Sequence, residues 1–329
     1  MDLLVLGGTG FVGRALVADG LRRGWNVTTF NRGTREAAAG VTALVGDRTA
    51  PGGLVALGDR RWDIVADTWS WAPSAVRASA AVLAERTGRY VYISSRSVYT
   101  YPLPAGSDET APVVEASSAD SGFDDYARAK AGAELAVTEA FGDRALLARA
   151  GLILGPHEDI GRLPWWLSRI ARGGDVLAPG DPDAGIQCID ARDLASWALT
   201  AAANDVEGPV NVVSPVGFAT MGELLDACVR ATRSTARLRW VESDLLLAAG
   251  VEPWTDLPAW LPRGEAHDTM HGADVSRALA TGLTCRPVLE TVTDTWSWLE
   301  SIGGVAPQRA DRPAVGLDPA MEERILASL

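Results

Sequence analysis

The sequence predicts an α/β fold, with a doubly wound parallel sheet and a smaller C-terminal lobe. Two observations lead to this prediction. Short, continuous apolar runs alternate with amphipathic segments of helical length through the first half of the chain. A glycine-rich turn, Gly7–Gly13, directly follows the first apolar run. Strands that are buried on both faces by crossover helices read as unbroken apolar runs, so the alternation favours βαβ units.

The individual elements follow from this alternation. Strands are predicted at Leu3–Leu6, Asn26–Phe30, Val41–Val45, Asp63–Ala66, Tyr90–Ser94 and Ala145–Arg149, and helices at Phe11–Arg23, about 73–86 and about 124–141. Right-handed crossovers between such strands give a doubly wound sheet.

The second half of the chain is divided by Gly-Pro and Gly-Gly turns. We interpret 1–155 as the first domain, with 186–214 returning to it through an extended segment (Ile186–Ile189), a helix (Arg192–Ala203) and a strand (Val210–Val213). Residues 156–185 and 215–329 then form a smaller substrate lobe over the carboxyl ends of the strands. For the tail after Gly304, the sequence leaves docking and mobility open.

Composition excludes several classes of protein. Lys and Arg number 30 against 42 Asp and Glu, which gives a net charge of −12 and argues against a nucleic-acid-binding role. The three cysteines are widely spaced and form no metal-ligand motif. The sequence shows neither a signal peptide nor an apolar run of about 20 residues, so we expect no membrane span and a cytoplasmic location.

The glycine turn has the spacing of a Rossmann-type dinucleotide site. Gly7, Gly10 and Gly13 lie between a strand and a helix, where phosphate groups bind to backbone N–H groups at the helix N-terminus. The predicted cofactor contacts in this turn are Gly7, Thr9, Gly10, Phe11, Val12 and Gly13.

The end of the second strand predicts the choice of cofactor. An NAD site usually has Asp or Glu there, but this chain has Asn31 and Arg32. A guanidinium can bind a 2′-phosphate, so we expect NADP, with NAD as the alternative. Asp47 is expected at the adenine, and Arg48 is either a cofactor contact or a structural residue.

Tyr126 and Lys130 stand four residues apart on one predicted helix and share a face. The pKa of a phenol is near 10, and a neighbouring ammonium favours the phenolate, which suits acid–base work. Ser95, at the end of the fifth strand, is the candidate hydroxyl for the substrate oxygen. For Ser94 and Ser97 we expect backbone capping. The predicted catalytic set is Ser95, Tyr126 and Lys130, and the last two are also predicted to contact the cofactor.

These motifs resemble the extended short-chain dehydrogenase/reductase superfamily, the NAD(P)-dependent epimerase/dehydratase group. The matching segments include Gly7–Gly13, Asp47, Ser95–Tyr99, Tyr126 with Lys130, and 149–156 and 187–195. The resemblance implies that residues after the fourth strand line the cofactor, which makes Thr68 a predicted contact, and that the protein is a homodimer. Two departures weaken a nucleotide-sugar function: Arg96-Ser97 replaces the Asp-Glu of the dehydratases, and Ile186 replaces a diphosphate-binding Arg.

The chain has twelve Trp against five Phe and five Tyr, which suggests an apolar or aromatic small-molecule substrate. The predicted substrate contacts are Trp69, Ser95, Tyr126 and Trp165. No metal site is predicted, because His267 and His271 lack a third ligand.

The leading hypothesis is therefore an NADP-dependent oxidoreductase that acts on a small carbonyl or secondary alcohol. An epimerase of a sugar-like substrate is the alternative. A cofactor-sensing or RNA-binding module without turnover is a third reading, against which the Ser/Tyr/Lys set and the acidic charge both count.

Overall fold

The computed structural model describes residues 1–122, 124–309 and 313–329. Its strands, in chain order, are β1 (Asp2–Leu6), β2 (Asn26–Asn31), β3 (Thr42–Val45), β4 (Trp62–Asp67), β5 (Thr87–Ser95), β6 (Ala145–Ala150), β7 (Leu152–Leu154), β8 (Asp175–Pro179), β9 (Gly185–Ile186), β10 (Cys188–Asp190), β11 (Gly208–Val212), β12 (Ala219–Thr220) and β13 (Arg237–Val241). Its helices are α1 (Phe11–Arg22), α2 (Pro73–Leu83), α3 (Tyr126–Phe141), α4 (Arg162–Ala171), α5 (Ala191–Ala203), α6 (Met221–Thr232), α7 (Ser243–Ala248), α8 (Glu265–His271), α9 (Ser276–Ala280), α10 (Val288–Ser301) and α11 (Pro319–Ala327).

Seven parallel strands form the central sheet in the order β3-β2-β1-β4-β5-β6-β11. The predicted fold class is confirmed. The chain winds outward from β1 in one direction to β3 and then, from β4, in the other. A crevice for a ligand opens where the order reverses, outside the carboxyl ends of the strands.

Both faces of this sheet are buried, as the unbroken apolar runs predict. Leu3 and Val5 point to one face, against α1 and α5, whereas Leu4 and Leu6 point to the other, against α2 and α3. Successive side chains of a strand alternate between faces, so a strand covered on both sides has to be apolar throughout. The covered sheet holds its strand ends in fixed positions for the site.

A third apolar core lies in the C-terminal half, where α4, α6 and α10 pack around β8 and β13. The final helix α11 joins this core through Ile325, and Arg169 forms a 2.6 Å ion pair with Glu322. The question that the sequence left open for the tail is thus settled for α11, which docks. Residues 310–312 of the tail lie outside the described residues.

The segments that return to the first domain differ in part from the predicted division. Strand β11 joins the central sheet and helix α5 packs against it. The extended segment at Ile186–Ile189 does not join this sheet, because it is divided between two small pairings, β9 with β12 and β10 with β7. Helix α9, which the division assigned to the lobe, instead places Ala278 in the core beneath α1 and α5. The cause is chain proximity: α9 packs against β11, the edge strand.

None of the helices in the described part of the chain has both the length and the apolar character needed to cross a membrane.

Candidate active site

A cleft of about 1250 Å³ opens at the carboxyl ends of β1, β2, β4 and β5. Its walls come from the central sheet on one side and from the C-terminal half, including Arg162 and Trp254, on the other. All predicted cofactor and catalytic residues line this cleft: Gly7, Thr9, Gly10, Phe11, Val12, Gly13, Asn31, Arg32, Asp47, Arg48, Thr68, Ser95, Tyr126 and Lys130. Of the predicted substrate contacts, Trp69 lines it as well.

The glycine turn has no room for side chains where it folds on itself, but it is open toward the cleft. Gly7 has a φ of 101°, and a Cβ there would overlap the hydroxyl of Thr68. A Cβ on Gly13 would overlap the carbonyl oxygen of Gly7, whereas on Gly10 it would meet nothing closer than 3.7 Å. Gly10 is the N-cap of α1, so the backbone N–H groups of the first helical turn adjoin this space. The turn therefore fits a pyrophosphate.

Gly13→Ala is expected to raise the dissociation constant for the dinucleotide at least about tenfold, or about 1.4 kcal/mol. The added methyl has to push the Gly7 carbonyl out of position, which widens the turn. Isothermal titration calorimetry measures the loss. Gly185→Ala is the matched control, since a Cβ there meets nothing within 4 Å. An unchanged dissociation constant in Gly13→Ala would place the phosphates elsewhere.

The far end of the cleft contains the residues expected at the adenosine. Thr9 donates a long hydrogen bond, 3.4 Å, to the side-chain oxygen of Asn31 at the end of β2. The exposed side chain of Arg32 follows it, and no hydrogen bond or ion pair joins it to another described residue. Hydrogen bonds from the hydroxyl and backbone N–H of Thr49 hold the pKa of Asp47 below its usual value. The Asp47 carboxylate is thus an anion fixed beside a guanidinium.

Arg48 is buried and pairs with Asp67. Of the two roles that the sequence leaves open for Arg48, a cofactor contact or a structural residue, this geometry is that of a structural residue. Two guanidinium nitrogens lie 2.7 Å from the two oxygens of Asp67, and one of them also donates to the carbonyl of Ala75. The Tyr90 hydroxyl donates to the same carboxylate at 2.7 Å. Burial raises the pKa of Asp67, but the charge and hydrogen bonds of Arg48 outweigh it and hold the pKa below the usual value. The pair fixes the end of β4.

The residues that follow Asp67 lie against the glycine turn. The backbone N–H and hydroxyl of Thr68 both donate to the carbonyl of Leu6, each at 3.1 Å. Both N–H groups of Trp69 already have acceptors: the backbone N–H donates to the Asp67 carboxylate and the indole N–H donates to the carbonyl of Ala72. What Trp69 offers the cleft is its ring, with the Arg48 guanidinium 5.0 Å from the ring centroid.

Lys130 lies on α3, one turn after Tyr126, and is only 2% exposed. Its ammonium donates to the carbonyls of Trp69 and Ile93, both at 2.7 Å, and lies 4.7 Å from the centroid of the Tyr92 ring. Two strand ends thus hold the ammonium at the floor of the cleft. Tyr126 begins α3 and is half-buried, and the N-cap Asp125 fixes this first turn by accepting from the N–H of Arg128. Phenol and ammonium therefore face one cleft.

Ser95 ends β5 within the same cleft. The hydrogen bonds of Ser95 and of the serines beside it contradict the capping prediction for Ser94. Its hydroxyl accepts from the backbone N–H of Ser97 and donates to the Ser97 hydroxyl, both at 3.1 Å. Ser95, rather than Ser94 or Ser97, is therefore the residue that caps the following 3₁₀ turn. The capping prediction for Ser94 is wrong, because its hydroxyl donates to the Glu134 carboxylate at 2.6 Å.

The carboxylate below Ser94 belongs to a buried network that supports the catalytic helix. Arg149 forms a 2.7 Å ion pair with Glu134, and its guanidinium lies 4.8 Å from the centroid of the Tyr99 ring. The Tyr99 hydroxyl donates to Asn211 at 2.7 Å. The network connects α3 to β5, β6 and β11, so it fixes the position of Tyr126 relative to Ser95.

Trp165, a predicted substrate contact, is not among the residues that line the cleft. A Cβ on Gly316 would overlap the indole of Trp165, which places the ring directly beneath the C-terminal tail. Its neighbour Trp166 is fully buried and donates to the carbonyl of Pro258. Helix α4 instead presents its first residue, Arg162, to the cleft.

Sequence reasoning also missed a group of residues on the substrate side of the cleft. They come from the 3₁₀ turn after β5, from the lobe and from the tail: Arg96, Tyr101, Arg162, Trp254, Met270, Gln308 and Arg309. For Arg96 a signal was present, since it directly follows Ser95. The others come from distant segments and belong to no local motif.

The two histidines four residues apart also lie in the lobe. Their ring centroids are 5.1 Å apart, and burial lowers the pKa of His271 to about 4, so His271 is neutral at physiological pH. Within the described ranges, no three His, Cys, Asp or Glu side chains come together as metal ligands would.

The comparisons with known proteins agree with this geometry. The model of the NAD dependent epimerase/dehydratase family matches residues 3–216. The chain belongs to this family. The predicted resemblance is thereby confirmed, and the family is one of enzymes. The comparison with curated proteins finds no matching sequence.

Solved structures of epimerase/dehydratase proteins share the fold at low identity. A putative epimerase from Burkholderia cenocepacia J2315 has a TM-score of 0.67 and 20% identity, over 92% of this chain and 97% of that one. The Bordetella bronchiseptica enzyme WbmH, in complex with NAD⁺, has a TM-score of 0.66 and 19% identity, over 92% and 99%. A Thermotoga maritima UDP-glucose 4-epimerase with UDP-glucose has a TM-score of 0.63 and 16% identity, over 92% and 99%.

Proposed function

We propose that this protein is an NADP-dependent oxidoreductase that interconverts a small carbonyl compound and its secondary alcohol through Ser95, Tyr126 and Lys130. The observation that carries the proposal is the cleft itself, in which these three side chains and the open glycine turn line one space. When bound, the nicotinamide cofactor supplies or accepts the hydride. The complex of WbmH with NAD⁺, a structure of the same fold, supports a dinucleotide as the cofactor.

Each of the three side chains has one task. Tyr126 donates a proton to the carbonyl oxygen, so the carbonyl gains a hydride on carbon and a proton on oxygen and becomes the alcohol. Ser95 donates a hydrogen bond to the same oxygen once its proton turns from the Ser97 hydroxyl to the substrate. The buried positive charge of Lys130 stabilises the phenolate that Tyr126 leaves behind.

The preference for NADP rests on Arg32. Its exposed guanidinium follows Asn31 at the end of β2, where an NAD site has a carboxylate. A 2′-phosphate would give this guanidinium an ion pair, since no other described residue does. Arg35 is a second candidate, although it already lies 3.8 Å from Asp159.

Arg32→Ala is expected to weaken NADPH binding about tenfold or more and to leave NADH binding unchanged. The reason is the loss of a charge-assisted hydrogen bond to the 2′-phosphate, which contributes about 1.5–3 kcal/mol. Calorimetric titration with each cofactor measures the two constants, and NADH serves as the control within the same protein. Equal affinities for both cofactors in the unaltered protein would contradict the NADP assignment.

The second candidate is an epimerase that reuses its bound cofactor. The solved structures named above favour it, since they include epimerases. The substrate lobe favours the reductase: Ile186 lies in the apolar lobe core at the place expected for a diphosphate-binding arginine. The near-ultraviolet absorbance of NADPH separates the two. A reductase consumes NADPH in proportion to product, whereas an epimerase forms product with no net change.

Location and assembly remain predictions. All three cysteines are unpaired, as is typical of a reducing compartment, and we predict the cytoplasm. A homodimer is implied by the family resemblance, and size-exclusion chromatography with light scattering tests it.

A further inference from the structure

The cleft carries an excess of positive charge that the rest of the protein does not. Among the described residues that line it, two are acidic, Asp47 and Asp159, and seven are basic: Arg32, Arg35, Arg48, Arg96, Lys130, Arg162 and Arg309. Arg48 is neutralised by the buried Asp67, which leaves six cations against two acids. The chain as a whole has a net charge of −12. A cleft of one sign within low-dielectric walls concentrates ligands of the opposite sign. The cofactor phosphates explain the basic residues at the glycine turn, but not those on the substrate side.

Arg96 is the most unusual of the cations on the substrate side. It is 4% exposed, and two of its nitrogens donate to the backbone carbonyls of Met270 and Thr269 at 3.0 Å. Its Nε has no hydrogen-bond partner within residues 1–122, 124–309 and 313–329. Burial lowers its pKa, and the ionisable groups that act on it are two tyrosines, Tyr101 and Tyr99, with no carboxylate among the described residues. A buried cation without an anion is costly, so an anionic ligand beside Arg96 would be stabilised.

Two further arginines on this side lie beside tryptophan rings. The Arg162 guanidinium lies 5.5 Å from the centroid of the Trp254 ring, and that of Arg309 lies 5.8 Å from the Trp71 centroid. A guanidinium at this distance from a tryptophan ring is attracted to it by a cation–π interaction. Among the described residues that line this side, the acid is Asp159, which lies 3.8 Å from Arg35. The substrate side is thus both aromatic and cationic.

We propose that the substrate is a carbonyl acid whose carboxylate sits against Arg96, with Arg162 and Arg309 on the outer wall and an apolar body between Trp71 and Trp254. This proposal rests on the function proposed above. Arg96 directly follows Ser95. A carboxylate bound to Arg96 would therefore lie close to the reacting oxygen at Ser95. That closeness fits a 2-oxo or 3-oxo acid. In a nucleotide sugar, the ring of the sugar would separate the diphosphate from the reacting carbon.

The test compares acids with neutral analogues of the same body. Phenylpyruvate and phenylacetone are offered as substrates with NADPH, and binding of the non-reactive pair phenylacetate and phenylacetamide is measured by calorimetry with NADP⁺ present. We expect kcat/KM for the acid to exceed that for the ketone at least tenfold, and phenylacetate to bind at least tenfold more tightly than phenylacetamide.

Variants assign the effect to the arginine. Arg96→Met is expected to lower the ratio of kcat/KM for the acid to kcat/KM for the ketone at least tenfold. Arg96→Lys, which keeps the positive charge, is expected to restore part of that ratio. Arg239→Met removes an exposed arginine of the lobe outside the cleft and serves as the control. If Arg96→Met does not fold, Arg162→Gln tests the outer wall by the same ratio.

The outcomes separate this proposal from the proposed function. Equal use of acid and neutral ketone overturns the carboxylate site and leaves the reductase intact. Tight binding of phenylacetate without reduction of either ketone supports the site and counts against the reductase. An acid preference that Arg96→Met and Arg162→Gln leave unchanged overturns the assignment to these arginines.

Discussion

Tyr126→Phe is expected to lower kcat by about 10²–10⁴-fold and to leave cofactor affinity unchanged, because the phenol is the proton donor in the proposed reaction. The ring stays on the first turn of α3, and the N-cap hydrogen bond from Arg128 to Asp125 does not depend on the hydroxyl. The Lys130 ammonium also stays in place, since the carbonyls of Trp69 and Ile93 hold it. Steady-state kinetics and calorimetry measure the two quantities.

Tyr101→Phe is the matched control for this variant. Tyr101 lines the same cleft, and its hydroxyl lies 3.6 Å from the sulfur of Met270 and also interacts with the side chain of Ser97. Its loss should change KM more than kcat. A Tyr126→Phe enzyme that keeps a near-normal kcat would remove Tyr126 from the reaction.

Arg48→Met is expected to lower the free energy of unfolding by about 3–5 kcal/mol, because it leaves the buried carboxylate of Asp67 without its cation. The double variant Arg48→Met/Asp67→Leu should recover a large part of that loss, since it removes both charges. Urea unfolding followed by tryptophan fluorescence gives the values, with Arg239→Met as the exposed control.

The same pair predicts how stability depends on pH. The folded pKa of Asp67 lies below its unfolded value. Its contribution is therefore fully present above the unfolded pKa and is lost as the pH falls through the folded pKa. The Arg48→Met/Asp67→Leu protein should lose less stability on acidification than the unaltered protein. Equal acid sensitivity, together with single variants as stable as the unaltered protein, would show that the pair does not hold the end of β4.

The cofactor half of the cleft could be predicted from the sequence because its elements are local. The glycine turn lies between one strand and one helix, and each predicted strand end carries its side chain to the same edge of a parallel sheet. The register of a buried strand is fixed by its apolar pattern, so Asn31, Asp47, Thr68 and Ser95 arrive together at the edge. Arg48 remained ambiguous because its partner, Asp67, lies 19 residues away, on the next strand along the chain.

The substrate half could not be predicted in the same way. Trp165 and Trp166 are adjacent on α4, and helical periodicity alone does not say which face meets the cleft. The packing decides it: both rings turn toward the lobe core and tail, and Arg162 meets the cleft. The arginine–tryptophan contacts join segments that are far apart in the chain, including Trp71 with Arg309. No local sequence pattern encodes such pairs.

The central claim is that a nicotinamide dinucleotide lies in this cleft beside Tyr126 and Lys130. Titration of the protein with NADPH tests it most directly, because Trp69 and Trp71 line the cleft and can transfer excitation energy to the reduced nicotinamide. The account predicts saturable quenching of tryptophan emission with one cofactor per chain, and an at least about tenfold higher NADPH concentration for half-maximal quenching in Gly13→Ala. No saturable quenching in the unaltered protein, or an unchanged half-maximal concentration in Gly13→Ala, would contradict it.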